Sequence, residues 1–245
     1  MRLKLIGAVV GVLVLAVAVT ASQAATIGQT VLTVKGSVNT KNAGTKKKPK
    51  GLTVKLNMRQ TTTVPSDPRP ATTKGFKIVF PSTWRLNSKK WPKSARCSQP
   101  RADAAKSVRV CPKASKVGTG KTTALVGEGG TIRSDLTVSA HVLTTGNIGF
   151  FISTDVPIEV DEFLIGKVSG RTLTIQIPDR IRNTDAGKSG ISVLNNTLGG
   201  KAGKGKKRVN LLEAIGCKGK QWRVKFSNVA EDGTKTVNID SKCKK

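Results

Sequence analysis

Gly120-Lys121-Thr122, within the run Ser107–Gly127 that reads SVRVCPKASKVGTGKTTALVG, carries the residue types that grip a nucleotide phosphate. A phosphate loop needs a glycine five positions before Gly-Lys-Ser/Thr, a strand ahead of it and a helix behind it, so that successive backbone N–H groups curl round the anion. Position 115 is Ser115, Pro112 interrupts the approach, and Thr122–Val126 is β-branched and strand-like. The segment therefore predicts a strand and no nucleotide site. Nucleophilic hydrolysis needs a base beside a serine or cysteine. His141 is the only histidine, and the alternation around it puts it on the polar face of a strand with Thr137 and Ser139, where a solvent-facing role is expected. The remaining candidates are the carboxylates Asp155, Glu159, Asp161 and Glu162. Glu159 and Asp161 fall on one face of an extended chain, a spacing that can share a cation or serve a glycoside hydrolase. No calcium-loop spacing surrounds them, and pairing with lysines is the simpler role.

The four cysteines form two local pairs, Cys97 with Cys111 and Cys217 with Cys243. Four cysteines allow three connectivities, of which these pairs close the shortest loops. Zinc is the competing use. It is disfavoured by the lack of any Cys-x2-Cys and by the single histidine. No cofactor is expected.

Charge is the most unusual property. The chain holds 43 Lys and Arg against 14 Asp and Glu. Removing Arg2 and Lys4 with a leader leaves +27 on residues 25–245. Such a field attracts polyanions: wall polymers, anionic lipid headgroups or released nucleic acid. The basic residues cluster at Lys46, Lys47, Lys48 and Lys50, at Lys89, Lys90 and Lys93 around Trp91, at Lys201, Lys204, Lys206, Lys207 and Arg208, and at Lys242, Lys244 and Lys245. Trp91 among lysines is placed to stack on a base or sugar ring. The plainer reading is that the lysines only keep the chain soluble, since no nucleic-acid module is recognisable.

Residues 1–24 read as a signal peptide: Arg2 and Lys4, an apolar run over Leu5–Val19, and small residues up to Ala24. An uncleaved anchor is the alternative. After cleavage no second apolar run remains to insert in a membrane, and the even cysteines suit an oxidising compartment. From residue 31 onward the chain alternates apolar and polar side chains. Leu52, Val54, Leu56, Met58 is one such run; others lie at Phe76–Phe80, Leu136–Val142, Ile148–Ile152, Leu173–Ile177, Trp222–Phe226 and Val237–Ile239. Gly146-Asn147, Ser169-Gly170 and Asp232-Gly233 are turn signals between them. About ten to twelve strands, mostly antiparallel, predict an all-β sandwich. Short helical turns are expected at Arg101–Lys106 and Leu211–Ile215. Asn39–Lys50, Gln60–Thr73 and Gly199–Arg208 read as exposed loops, the last unable to pack a core. Residues 25–245 read as one domain, with two smaller sandwiches meeting near Gly127–Gly130 as the alternative.

Cys97, Cys111-Pro112 and Ser115-Lys116-Val117-Gly118-Thr119-Gly120, leading into a strand, resemble a family of exported actinobacterial β-sandwich proteins of unassigned function. The ending Cys217–Trp222, Phe226, Asp232-Gly233 and Cys243 is similar to the cysteine-bracketed terminal hairpin of that family. The resemblance implies a secreted β-sandwich and supplies no activity. Together these features predict a secreted or cell-surface binding or structural protein without enzymatic activity, held near the envelope by basic loops on an anionic polymer. The alternative is an extracellular hydrolase or calcium-binding module using Asp155, Glu159 and Asp161.

Overall fold

The computed structural model describes residues 23–27 and 30–244, so the expected leader lies outside it except for Gln23 and Ala24; the side chains of residues 23–27 and of Lys206 are also outside the described part. The chain opens with β1 (Gln23–Ile27), β2 (Thr30–Val38), β3 (Lys50–Leu52), β4 (Val54–Thr62) and β5 (Thr73–Val79). An excursion follows, holding β6 (Trp84–Leu86) and α1 (Gln99–Ala104). The chain then runs through β7 (Lys116–Val126), β8 (Ile132–Val142), β9 (Ile148–Thr154), β10 (Val160–Ser169) and β11 (Thr172–Gln176). After α2 (Asp179–Arg182) come β12 (Asn183–Thr184) and β13 (Gly187–Leu198). The short β14 (Lys201–Ala202), β15 (Val209–Asn210) and β16 (Leu212–Ala214) precede the terminal hairpin of β17 (Gln221–Ala230) and β18 (Gly233–Lys242).

One sheet takes most of these, in the order β1-β2-β4-β13-β7-β8-β9-β10-β11-β5-β17-β18, with β12 attached to β13. Every neighbouring pair in it is antiparallel, as the alternation predicts. The sheet folds over on itself until β18 packs against β1 and β2, giving an antiparallel β-sandwich whose wall is nearly closed. The approach is tight: a Cβ added at Gly36 of β2 would stand 2.7 Å from Ile239 of β18. Inward alternate residues such as Leu32, Val34, Leu56, Met58, Leu173 and Phe226 make one continuous core. Strands from both sides of Gly127–Gly130 interleave in this sheet, since β13 lies between β4 and β7.

Three expectations change. Leu211–Ile215 is not helical: Leu212–Ala214 pairs with both β3 and β6, because burying Leu211, Leu212 and Ala214 against a three-stranded sheet uses their apolar surface better than one exposed turn. Gly199–Arg208 does reach the core, since Ala202 in β14 is buried. Gln60 belongs to β4 and is buried, donating to Thr73 Oγ1 (3.2 Å) and to the Ile191 carbonyl (2.8 Å).

The registers give the sandwich two distinct ends. The connections 39–49, 80–115, 143–147 and 199–220 lie at one, together with the sheet β3-β16-β6 and both disulfides, Cys97–Cys111 and Cys217–Cys243. The connections 63–72, 127–131, 155–159, 177–186 and 231–232 lie at the other.

Candidate functional site

At the first end the structure gathers basic clusters that the sequence keeps apart. β16 pairs with β3, which follows directly on the Lys46–Lys48 loop, and with β6, which leads to Lys89 and Lys90. The Asn87 amide N–H donates to the Leu211 carbonyl (2.8 Å) and its side chain to the Asn210 carbonyl (3.1 Å), bringing the Lys89 turn beside the Lys201–Arg208 loop. Ala43 N–H donates to Lys244 O (2.9 Å) and Lys244 N–H to Lys41 O (2.7 Å), adding the last cluster. Lys46, Lys47, Lys48, Lys50, Lys89, Lys90, Lys93, Lys201, Lys204, Lys207 and Arg208 are exposed, and none is in an ion pair among the described residues. Trp91 corrects the expectation of a stacking platform. It is 1% exposed, its Nε1 donates to Ala114 O (3.0 Å), and Arg96 clamps its carbonyl, so its ring is part of the core.

The excursion between β5 and β7 lies as a cap over the outer face of β8, β9 and β10. Cys97 N–H donates to Val142 O (2.8 Å), and Cys97, Ala102, Leu143, Phe151 and Phe163 form a second small core beneath it. This is why His141 is buried at 4% exposure, contrary to the expected solvent-facing role. A polar strand face is exposed only while nothing covers it. Ser115 Oγ donates to Pro112 O (2.7 Å), so its bond to His141 Nδ1 (2.8 Å) has the ring N–H as donor, and Nε2 accepts from Ser139 Oγ (3.1 Å). Burial, aided by the nearby Lys116 charge, lowers the His141 pKa to about 4, so the ring is neutral at physiological pH. Among the described residues no carboxylate pairs with it, and its two hydrogen bonds pin the cap to the sheet.

Gly120 stands in β7 opposite Asn196 of β13 and Val138 of β8, and Lys121 is exposed on the same strand. Glycine is required there because a Cβ on Gly118 would lie 2.3 Å from Thr197 O, and one on Gly120 1.5 Å from Asn196 Oδ1.

The opposite end holds the acidic residues. Glu159 pairs with Lys106 (3.7 Å), and Glu162 is held bidentately by Arg180. Among the described residues, no three of His, Cys, Asp and Glu come together as a group able to hold a metal ion, and Asp155, Glu159 and Asp161 therefore do not make the cation site that the alternative reading requires. Other ion pairs crowd this end: Arg69–Asp67, Arg133–Asp135, Arg182–Asp179, Lys188–Glu231 and Lys235–Asp232. Arg133 and Thr123 both donate to Asp135, which holds its carboxyl below the usual range.

Between the sheet faces at this end is a cavity of about 610 Å³. Phe76, Val138, Phe150, Ile175 and Leu194 line its inner part, where it narrows toward the basic end. Ile158, Arg180, Ile181 and Asp185 line its mouth. Sealed and empty, such a void would cost on the order of 15 kcal/mol at about 24 cal/mol per Å³, as much as the whole net stability of a typical domain. Its mouth is open, so it can be filled.

Comparison with known proteins returns no matching family model, no matching curated protein and no matching solved structure. The cavity was not foreseen from the sequence. Its signal there is the run of small or polar inward positions, Thr122, Ala124 and Ser134, on neighbouring strands where a filled core would carry Leu, Ile or Phe.

Proposed function

We propose that this is an exported, non-enzymatic binding or surface structural protein, retained near the cell envelope by contact between its basic end and an anionic polymer. The observation that carries this reading is the convergence of Lys46, Lys47, Lys48 and Lys50, of Lys89, Lys90 and Lys93, and of Lys201, Lys204, Lys207 and Arg208 round β3-β16-β6, none of them in an ion pair among the described residues. At about 0.15 M salt the screening length is about 8 Å, so cations act together on one polymer only when the fold brings them close. Two disulfides are compatible with an oxidising compartment, and no helix among the described residues is long and apolar enough to cross a membrane. The resemblance of the Cys97–Gly120 stretch to secreted proteins points the same way.

The purified protein should bind a teichoic acid or heparin column and elute only at high salt, because each bound cation releases counterions. Replacing Lys204, Lys207 and Arg208 by Gln should lower the logarithmic salt slope by about one per lost contact. Elution at negligible added salt, or a triple variant identical to the parent, overturns the reading.

A further inference from the structure

The opposite end carries its own site, and its chemistry differs from that of the basic end. We propose that the 610 Å³ cavity binds an amphiphile with an apolar body and a cationic amino head, the body inside the sandwich and the head at the mouth.

The volume lies within the range of roughly 300–1,000 Å³ that small-molecule pockets occupy. Packed interiors have few voids larger than a water molecule, so this space is built into the fold. Its inner wall is carbon, and water there would find few partners. Two polar atoms interrupt that wall. Ser134 is 3% exposed, lines the cavity, and its Oγ has no hydrogen-bond partner among the described residues. Asn196 Oδ1 is likewise unpartnered, in space that only a glycine at position 120 leaves free. An unmet buried polar group is costly, and a ligand polar group reaching it removes that cost.

The mouth decides the head group. Four of the cations around it are engaged: Arg180 by Glu162, Arg182 by Asp179, Lys188 by Glu231 and Lys106 by Glu159. Asp161 and Asp185 line the opening and are in no ion pair among the described residues. In a chain with three times as many basic as acidic residues, two unpaired carboxylates at one opening make a local field opposite to the global one. Near physiological salt the distant lysines are screened, and the carboxylates within a few ångströms of a bound head dominate. Val156, 75% exposed beside the lip residues Pro157 and Ile158, gives the loop an apolar outer edge over which a tail can pass.

The test uses the purified protein at about 0.15 M salt with N-phenyl-1-naphthylamine, a neutral apolar fluorophore, as the reporter. Saturable binding near one probe per chain is expected. Dodecylamine should displace it at least tenfold more tightly than dodecanoate, with dodecanol between them. Asp161→Asn with Asp185→Asn should remove the preference for the amine while leaving dodecanol unchanged. Ala124→Trp, which places an indole in the cavity from a half-buried position, should abolish probe binding; Ile181→Trp, which sets the same bulk across the mouth from a half-buried position, provides a second block if the first variant fails to fold. Absence of saturable probe binding, or unaltered binding in a folded blocking variant, overturns the cavity as the site. Equal or tighter displacement by dodecanoate overturns the cationic head. Polymer retention by the basic end is read on the column and is independent of each of these outcomes.

Discussion

The two ends of the sandwich use charge in opposite ways. At the cavity end, cations such as Arg69, Arg133, Arg180, Arg182 and Lys188 each face a carboxylate, and Lys235, with no exposed surface, is paired with Asp232. Among the described residues of the basic end Arg223–Asp240 is the ion pair present, while exposed lysines stand unpaired around a small sheet. The order there comes from covalent and aromatic ties. Two disulfides sit at that end, and the buried Trp84 packs edge-on to Trp222 at 5.3 Å and against Phe80 at 6.0 Å. The long connections 80–115 and 199–220 explain the need, because long loops lose more entropy on ordering. Cations left without a counter-charge add nothing to cohesion, so other ties must hold that end together.

The contrast can be broken from either side. The largest effect is expected from Asp232→Asn, which leaves the buried Lys235 ammonium without its counter-charge. A loss of about 3–5 kcal/mol is expected from the shift in urea midpoint, and a cost below 1 kcal/mol would show that the pair is not structural. Replacing Cys217 and Cys243 together by Ser opens a 26-residue separation and should cost roughly 3.5 kcal/mol in the chain-entropy model. Hydrogen exchange should then rise in β16 and at the Gln221 end of β17, with β7 near Val126 protected as before. Uniform loss across the sheet would mean that the two ends are not separable.

The smallest effect is expected from pH. His141 has a folded pKa of about 4 against an unfolded value near 6.5, so the native state prefers the neutral ring. Its contribution is fully present above about pH 6.5 and is lost as pH falls through 4, up to about 3 kcal/mol in all. The His141→Gln variant, which cannot titrate, should show a flatter urea midpoint between pH 6.5 and 4. An unchanged slope would place the acid sensitivity elsewhere.

The strands with clean alternation, such as Val54–Met58 and Leu136–Val142, were legible because half-burial writes a period of two into the sequence. β13 was not. It lies between β4 and β7, and a register shift between Ile191 and Val193 breaks its period. The buried His141 was illegible for a different reason: the cap that covers it comes from residues 97–116, and no local pattern records which face a distant loop will occupy. The disulfide pairs were legible from spacing alone, as were the members of the basic clusters. Their convergence was not, since it depends on the long-range pairing of β16 with β3 and β6. The cavity was illegible because a void is recorded only by what several inward positions lack.

The seam between β18 and the β1–β2 pair also bears on the order of assembly. The strands that close the wall come from the two extremes of the described chain, with the Asn42 and Lys244 backbones bridged beside them. A chain that emerges with its early strands leading would present β2 and β4 as an unfinished edge until β17 and β18 followed. Such high contact order implies slow closure and a window in which the edge is open to other chains. A circular permutant that joins the two extremes and opens the chain at the exposed turn of Gly170 would convert that closure into a local hairpin, and should refold faster than the parent at equal stability.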